Sequence, residues 1–145
     1  MAKTHLYQVK VNWNNNRNGI LSSKVIDEKL SIATPPEFPK GEANIWSPEH
    51  YFIAAINGCL LTTFLAIAEN FKLEFVDFES DAEGKLEVID RKYVISEVVL
   101  NPVVTIKDES QRELAKKVLE KSEKACLISN SVTSKITMNI TINVK

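Results

Sequence analysis

The stretch "SPEHYFIAAINGCLLTTF", residues 47–64, sets a lone cysteine, Cys59, ten positions after the carboxylate of Glu49 and directly after an Asn57-Gly58 step. A second cysteine, Cys126, comes much later, and the histidines are His5 and His50. These four soft ligands show neither C-x-x-C nor H-x-x-x-H spacing, which gives a zinc site little support. Two cysteines are also too few for a secreted disulfide scaffold. Judged by number alone, they read as small buried hydrophobes. The alternative is redox chemistry. A thiol attacks an electrophile as its thiolate, so a working Cys59 needs a fixed positive charge or a helix N-terminus close by.

The element that must hold Cys59 is a helix. Ser47 is a good N-cap, Pro48 suits the first helical position, and Trp46 and Tyr51 have the spacing of a hydrophobic staple. The helix should run to about Asn70. Its middle is apolar on nearly every face, so it needs cover all round, in part from a partner subunit. If the helix breaks at Asn57-Gly58, Cys59 lies at a new N-terminus. If it does not, the dipole of the first turn is too distant to act, and an arginine is the better source of charge. An unbroken helix also separates Glu49 from Cys59 by about 15 Å along its axis. Glu49 then joins the site only through a bridging arginine or from the other subunit; otherwise it is a carboxylate favoured by the helix dipole. Thr62 and Thr63 lie one turn beyond Cys59, either bonding back to the helix or lying near the thiol.

Around this helix the chain reads as strands. Tyr7, Val9, Val11 and Trp13 alternate with polar residues as a half-buried strand. Asn18-Gly19 suits the turn of a hairpin whose tip carries Arg17, which by itself reads as a solvated turn residue. "ILSSKVI" returns as the second strand, "KLSIAT" supplies a third, and "PPEFPKGEAN" is a loop. Two or more long antiparallel strands follow, with a turn expected at Ala82 to Lys85 around Gly84. Asp108 and Gln111 form a possible capping box for a second helix. Its apolar stripe is Leu114, Ala115, Val118, Leu119, Ala125 and Cys126, which turns Cys126 inward. Alternation from Ile136 to Val144 predicts a last strand. The expectation is one α+β domain over residues 1–145 with a mainly antiparallel sheet.

Composition bounds the function. The 145 residues are 44 % apolar and 26 % charged, with a net charge of −1. No electrostatic capture of nucleic acid or of an anionic membrane is expected. The N-terminus lacks the apolar run of a signal peptide, and Asn57, Gly58, Thr62 and Thr63 interrupt the longest apolar stretch. A cytoplasmic location is expected.

Taken together, "SPEHYFIAAINGC", "VVLNPVVTI" and "LEKSEKACLISNSV" resemble the OsmC/Ohr family, the osmotically inducible protein C and organic hydroperoxide resistance proteins. The resemblance runs in order over nearly the whole chain. It implies an intertwined homodimer with sheet wrapped around central helices, and thiol peroxidase activity on organic hydroperoxides. By motif, Cys59 matches the peroxidatic cysteine and Cys126 the resolving cysteine. Arg17 matches an arginine that pairs with the reactive thiolate, and Glu49 an acidic residue that would orient that arginine. The implied cycle takes Cys59 to a sulfenic acid, which Cys126 converts to a disulfide that an external dithiol then reduces. No metal, flavin or nucleotide cofactor is implied. The other class of function is a non-catalytic protein of the same fold that binds an apolar small molecule at the dimer interface.

Overall fold

The computed structural model describes residues 3–145. The chain divides into two compact units, Met1–Phe52 and Ile53–Lys145.

In the first unit, β1 (Lys10–Asn15), β2 (Asn18–Ser23) and β3 (Ile26–Ala33) pair in that order as an antiparallel meander. Asn16 and Arg17 make the first turn, and Asn16 takes a left-handed φ of 45°. Asparagine is enriched in that region. The turn expected at Asn18-Gly19 is therefore displaced: both residues lie in β2, paired with Asn15 and Trp13. Gly19 answers a close approach instead, because a Cβ there would stand 2.7 Å from the Asn12 carbonyl oxygen. The expected first strand forms from Lys10 onward but is not half-buried. All six residues of β1 are exposed, Trp13 by 80 %.

Helix α1 (Pro48–Asn70) begins as the sequence predicts. The Ser47 hydroxyl accepts the His50 amide at 3.2 Å, and the Trp46 and Tyr51 rings lie 5.5 Å apart. The Tyr51 hydroxyl donates to the Ser31 carbonyl at 2.7 Å, tying this first turn to β3. The helix passes through Asn57-Gly58 without a break. Ile56, Leu60, Phe64 and Ala68, four residues apart, are its buried row. Within the chain the cover is one-sided, since Leu61 and Leu65 remain 37 % and 45 % exposed. By length and composition α1 could cross a membrane, although its buried row is spent on protein.

In the second unit, β4 (Asp77–Ile89) and β5 (Lys92–Ile106) form a long antiparallel hairpin. The turn is Asp90-Arg91, with φ of 51° and 66°, not the expected Ala82 to Lys85. Two consecutive left-handed residues suit the right-handed twist of a hairpin. Gly84 lies inside β4, where a Cβ would collide with the Ile53 side chain of α1. Along β5 every second residue from Val98 to Ile106 is buried, the period-2 signature of a strand with one face in the core.

A 3₁₀ turn (Glu109–Gln111) leads into α2 (Arg112–Ala125). Asp108 caps it by accepting the Ser110 amide at 3.0 Å, which holds its carboxyl below the usual range. Gln111 does not close the expected box, because its side chain accepts the Glu74 amide at 3.0 Å. Ala115, Val118 and Leu119 are buried as expected. Ala125 is exposed, and Ser122 is buried in the stripe with its hydroxyl donating to the Val118 carbonyl at 2.6 Å.

The expected last strand comes as two pieces, β6 (Lys135–Met138) and β7 (Thr141–Val144), both parallel to β5. Pairing lapses between Leu100 and Val103 of β5, and Pro102 lies in that gap. A proline offers no N–H to a ladder, which accounts for the interruption. Phe64 and Ala68 of α1, Val104 and Ile106 of β5, and Ala115, Val118 and Leu119 of α2 meet in one core. Burial of each large member is worth about 1.5–3 kcal/mol. The class is α+β, as the element order predicts.

Candidate active site around two thiols

Cys59 and Thr63 are four residues apart on α1 and share a face of the helix. Their Sγ and Oγ1 atoms lie 3.8 Å apart. Cys126 is the C-cap of α2, where the backbone turns extended and the amide bonds the Glu123 carbonyl at 3.1 Å. Its side chain is fully buried, Cys59 is half-buried, and both thiols are free. The Cys126 thiol lies near enough to Thr63 and Cys59 for both to act on its ionisation. Two cysteines that are 67 positions apart in sequence are thus close enough for Cys59 to raise the Cys126 thiol. Burial pushes the Cys126 thiol up to about 12, the Thr63 hydrogen bond pulls against that rise, and Cys59 and Glu123 add to it. In this arrangement Cys59 is the accessible thiol and Cys126 the protected one.

The two residues proposed to support the thiolate lie in the first unit. Arg17 is the second residue of the β1–β2 turn, and it is exposed. Its amide donates to Glu42 Oε2 at 3.0 Å and its carbonyl accepts the Thr34 amide at 3.1 Å. With Asn16, Lys40 and Glu42 it lines an open depression of about 430 Å³. Glu49 is in the first turn of α1, half-buried, and its Oε1 is buried with no hydrogen-bond partner. Arg17 and Glu49 make no ion pair; among the described residues, ion pairs join Lys85 to Glu87 and Arg112 to Glu109.

The two threonines divide the roles that the sequence left open. Thr62 Oγ1 donates back to the Cys59 carbonyl at 3.2 Å, whereas Thr63 faces the sulfur. Glu42, which sequence reasoning passed over, organises the Arg17 turn by also accepting from the Asn18 side chain at 3.0 Å. It lies 25 positions from Arg17, and no local motif announces the pairing.

The family described as OsmC-like protein matches residues 41–141. The whole chain is 27 % identical to the uncharacterized protein YmaD of Bacillus subtilis, covering 97 % of it. The fold is similar to that of an OsmC-like protein of unknown function from Vibrio cholerae, with a TM-score of 0.85 at 21 % identity, covering 94 % of this chain and 99 % of that one. An organic hydroperoxide resistance protein from Elizabethkingia anophelis matches over 100 % of both chains, with a TM-score of 0.78 at 18 % identity. With a family match that spans both α1 and α2 and both cysteines, the chain belongs to the OsmC-like protein family.

Proposed function

We propose that the protein is a cysteine-based peroxidase that reduces organic hydroperoxides. The observation that carries this reading is the proximity of Cys59 to Cys126, one thiol half-exposed and the other buried. Cys59 thiolate attacks the distal peroxide oxygen, the O–O bond breaks, and an alcohol leaves as Cys59 becomes a sulfenic acid. Cys126 then displaces water from that sulfur and forms the Cys59–Cys126 disulfide. An external dithiol returns both to thiols by exchange. The apolar neighbours of Cys59 on α1 suit a bulky alkyl or fatty hydroperoxide better than hydrogen peroxide.

Arg17 supplies the positive charge in this reading, and Glu49 orients it. The unpartnered Oε1 of Glu49 supports the assignment, because a buried carboxylate oxygen without a donor is costly and a guanidinium would satisfy it. A homodimer fits the exposed apolar residues of α1 and β1. The cytoplasm, where thiols are kept reduced, suits the cycle.

The deciding experiment is reaction of the reduced protein with cumene hydroperoxide, followed by free-thiol titration and intact mass. Loss of both thiols per chain with a mass decrease of two hydrogens is expected. Thiols that survive excess hydroperoxide would rule the reading out and leave a binding protein of the same fold.

A further inference from the structure

Closing the disulfide demands more of Cys126 than its surroundings provide. The attacking group must be a thiolate, yet this thiol is fully buried and held protonated well beyond neutral pH. The titratable groups acting on it are Cys59 from α1 and Glu123 from its own helix, and both oppose its ionisation. The leaving group makes a second demand. Hydroxide departs poorly from a sulfenic acid unless it gains a proton. One group lies where it meets both needs: the Thr63 hydroxyl, 3.8 Å from Cys59 Sγ and near enough to Cys126 to ease its ionisation. Its neighbour Thr62 is occupied with the helix backbone, and Thr63 is not.

We infer that Thr63 is a catalytic residue of the closure step, its hydroxyl bridging the two sulfurs and relaying the proton from Cys126 to the oxygen leaving Cys59. The inference rests on the peroxidase reading for its physiological oxidant, an organic hydroperoxide. The step balances without another reagent. The S–H bond of Cys126 breaks and its proton passes to Thr63 Oγ1. Thr63 gives its own hydroxyl proton to the sulfenic oxygen, the S–O bond breaks as water leaves, and the S–S bond forms. The two electrons that reduced the peroxide came from Cys59, and the sulfur of Cys126 now shares the oxidation.

The test separates closure from sulfenate formation. Reduced protein is mixed with excess cumene hydroperoxide in a stopped-flow instrument, and quenched samples are analysed for sulfenate and disulfide. Thr63→Val keeps the size and branching of the side chain but removes the hydroxyl. It should slow closure on the order of a hundredfold, the scale of a lost acid–base group, and move its pH dependence upward. Thr63→Ser should recover most of the rate. Closure by Thr63→Val at the wild-type rate and pH profile overturns the inference, and so does Thr63→Ser as slow as Thr63→Val. A parallel series uses diamide, which activates Cys59 without a peroxide and leaves a hydrazine that must also be protonated. If wild type ignores hydroperoxide but closes with diamide in a Thr63-dependent way, the peroxidase reading fails and the Thr63 assignment stands. If wild type closes with neither oxidant, both fail.

Discussion

The Ser47 hydroxyl lies 2.7 Å from Nδ1 of His50 and accepts the amide of the same residue at 3.2 Å. This reciprocal pair starts the helix that carries Cys59, and its amide partner is one of the four donors that a helix leaves unpaired. Ser47→Ala is expected to cost about 1 kcal/mol, and thermal unfolding followed by circular dichroism should show a Tm lower by about 2–4 °C. An unchanged Tm would mean that the staple between Trp46 and Tyr51 alone fixes the helix start.

Burial raises the Cys126 thiol from its ordinary 9.0 to about 12, with a pH consequence of definite sign. Above pH 9 the unfolded chain loses this proton while the folded chain keeps it, so stability falls as pH rises across that interval. Urea midpoints measured under reducing conditions at pH 8 and at pH 10.5 should drop more for wild type than for Cys126→Ala. Equal drops would show that Cys126 does not titrate in this way.

Replacing the thiols one at a time should divide the cycle. Cys59→Ser is expected to abolish hydroperoxide consumption. Cys126→Ser should permit a single turnover and then stall as sulfenate, passing to sulfinate in excess oxidant. Steady-state turnover with dithiol at the wild-type rate in either variant would contradict a two-cysteine cycle.

For Arg17 the measurement is the rate of Cys59 alkylation across pH. Arg17→Ala should slow the reaction near neutrality and displace its profile to higher pH, and Arg17→Lys should restore only part of the loss, because the planar fork is absent. A profile that superimposes on wild type removes Arg17 from the mechanism and returns it to the role of a turn residue.

Gly58, Leu61 and Leu65 follow one another at helical spacing along the exposed side of α1, and a Cβ at Gly58 would meet nothing within 4 Å. Sedimentation of the wild type should give a dimer. Leu61→Arg with Leu65→Arg, which desolvates charge if that side is covered, should give a monomer. A wild type that sediments as a stable, active monomer would end the homodimer assignment.

The positions that the sequence disclosed best were those with local physics behind them. Ser47, Pro48, Trp46 and Tyr51 act within one turn of each other, so the start of α1 could be read directly. The stripe Ala115, Val118 and Leu119 was equally plain. The glycines misled. The sequence predicts turns at Gly19 and Gly84, but each lies in a strand where another segment passes too close for a Cβ. The atoms responsible are the Asn12 carbonyl, on the strand paired with that of Gly19, and the Ile53 side chain, which lies far from Gly84 in sequence. The true turns use Asn16 and Asp90-Arg91, which pay for positive φ without glycine. For the site, each cysteine was visible as a residue, while their meeting depends on tertiary packing and was legible only through family resemblance. Thr63 could be singled out only when its orientation relative to Thr62 was known.

The Asp90-Arg91 turn bears on the order in which this molecule assembles. The β4–β5 hairpin closes over two residues, so its ladder can zip outward from a local start at little loop-closure cost. The parallel strands β6 and β7 have no such start, because they reach β5 only after the chain has passed through α2. Non-local pairings of that kind are the slow part of folding. Cys126 lies on that crossover, ahead of β6, and its partner Cys59 precedes the hairpin. During refolding the hairpin amides should therefore gain protection from hydrogen exchange before those of β6 and β7. For that period the unprotected interior would leave the second thiol open to reagents that it excludes in the native state.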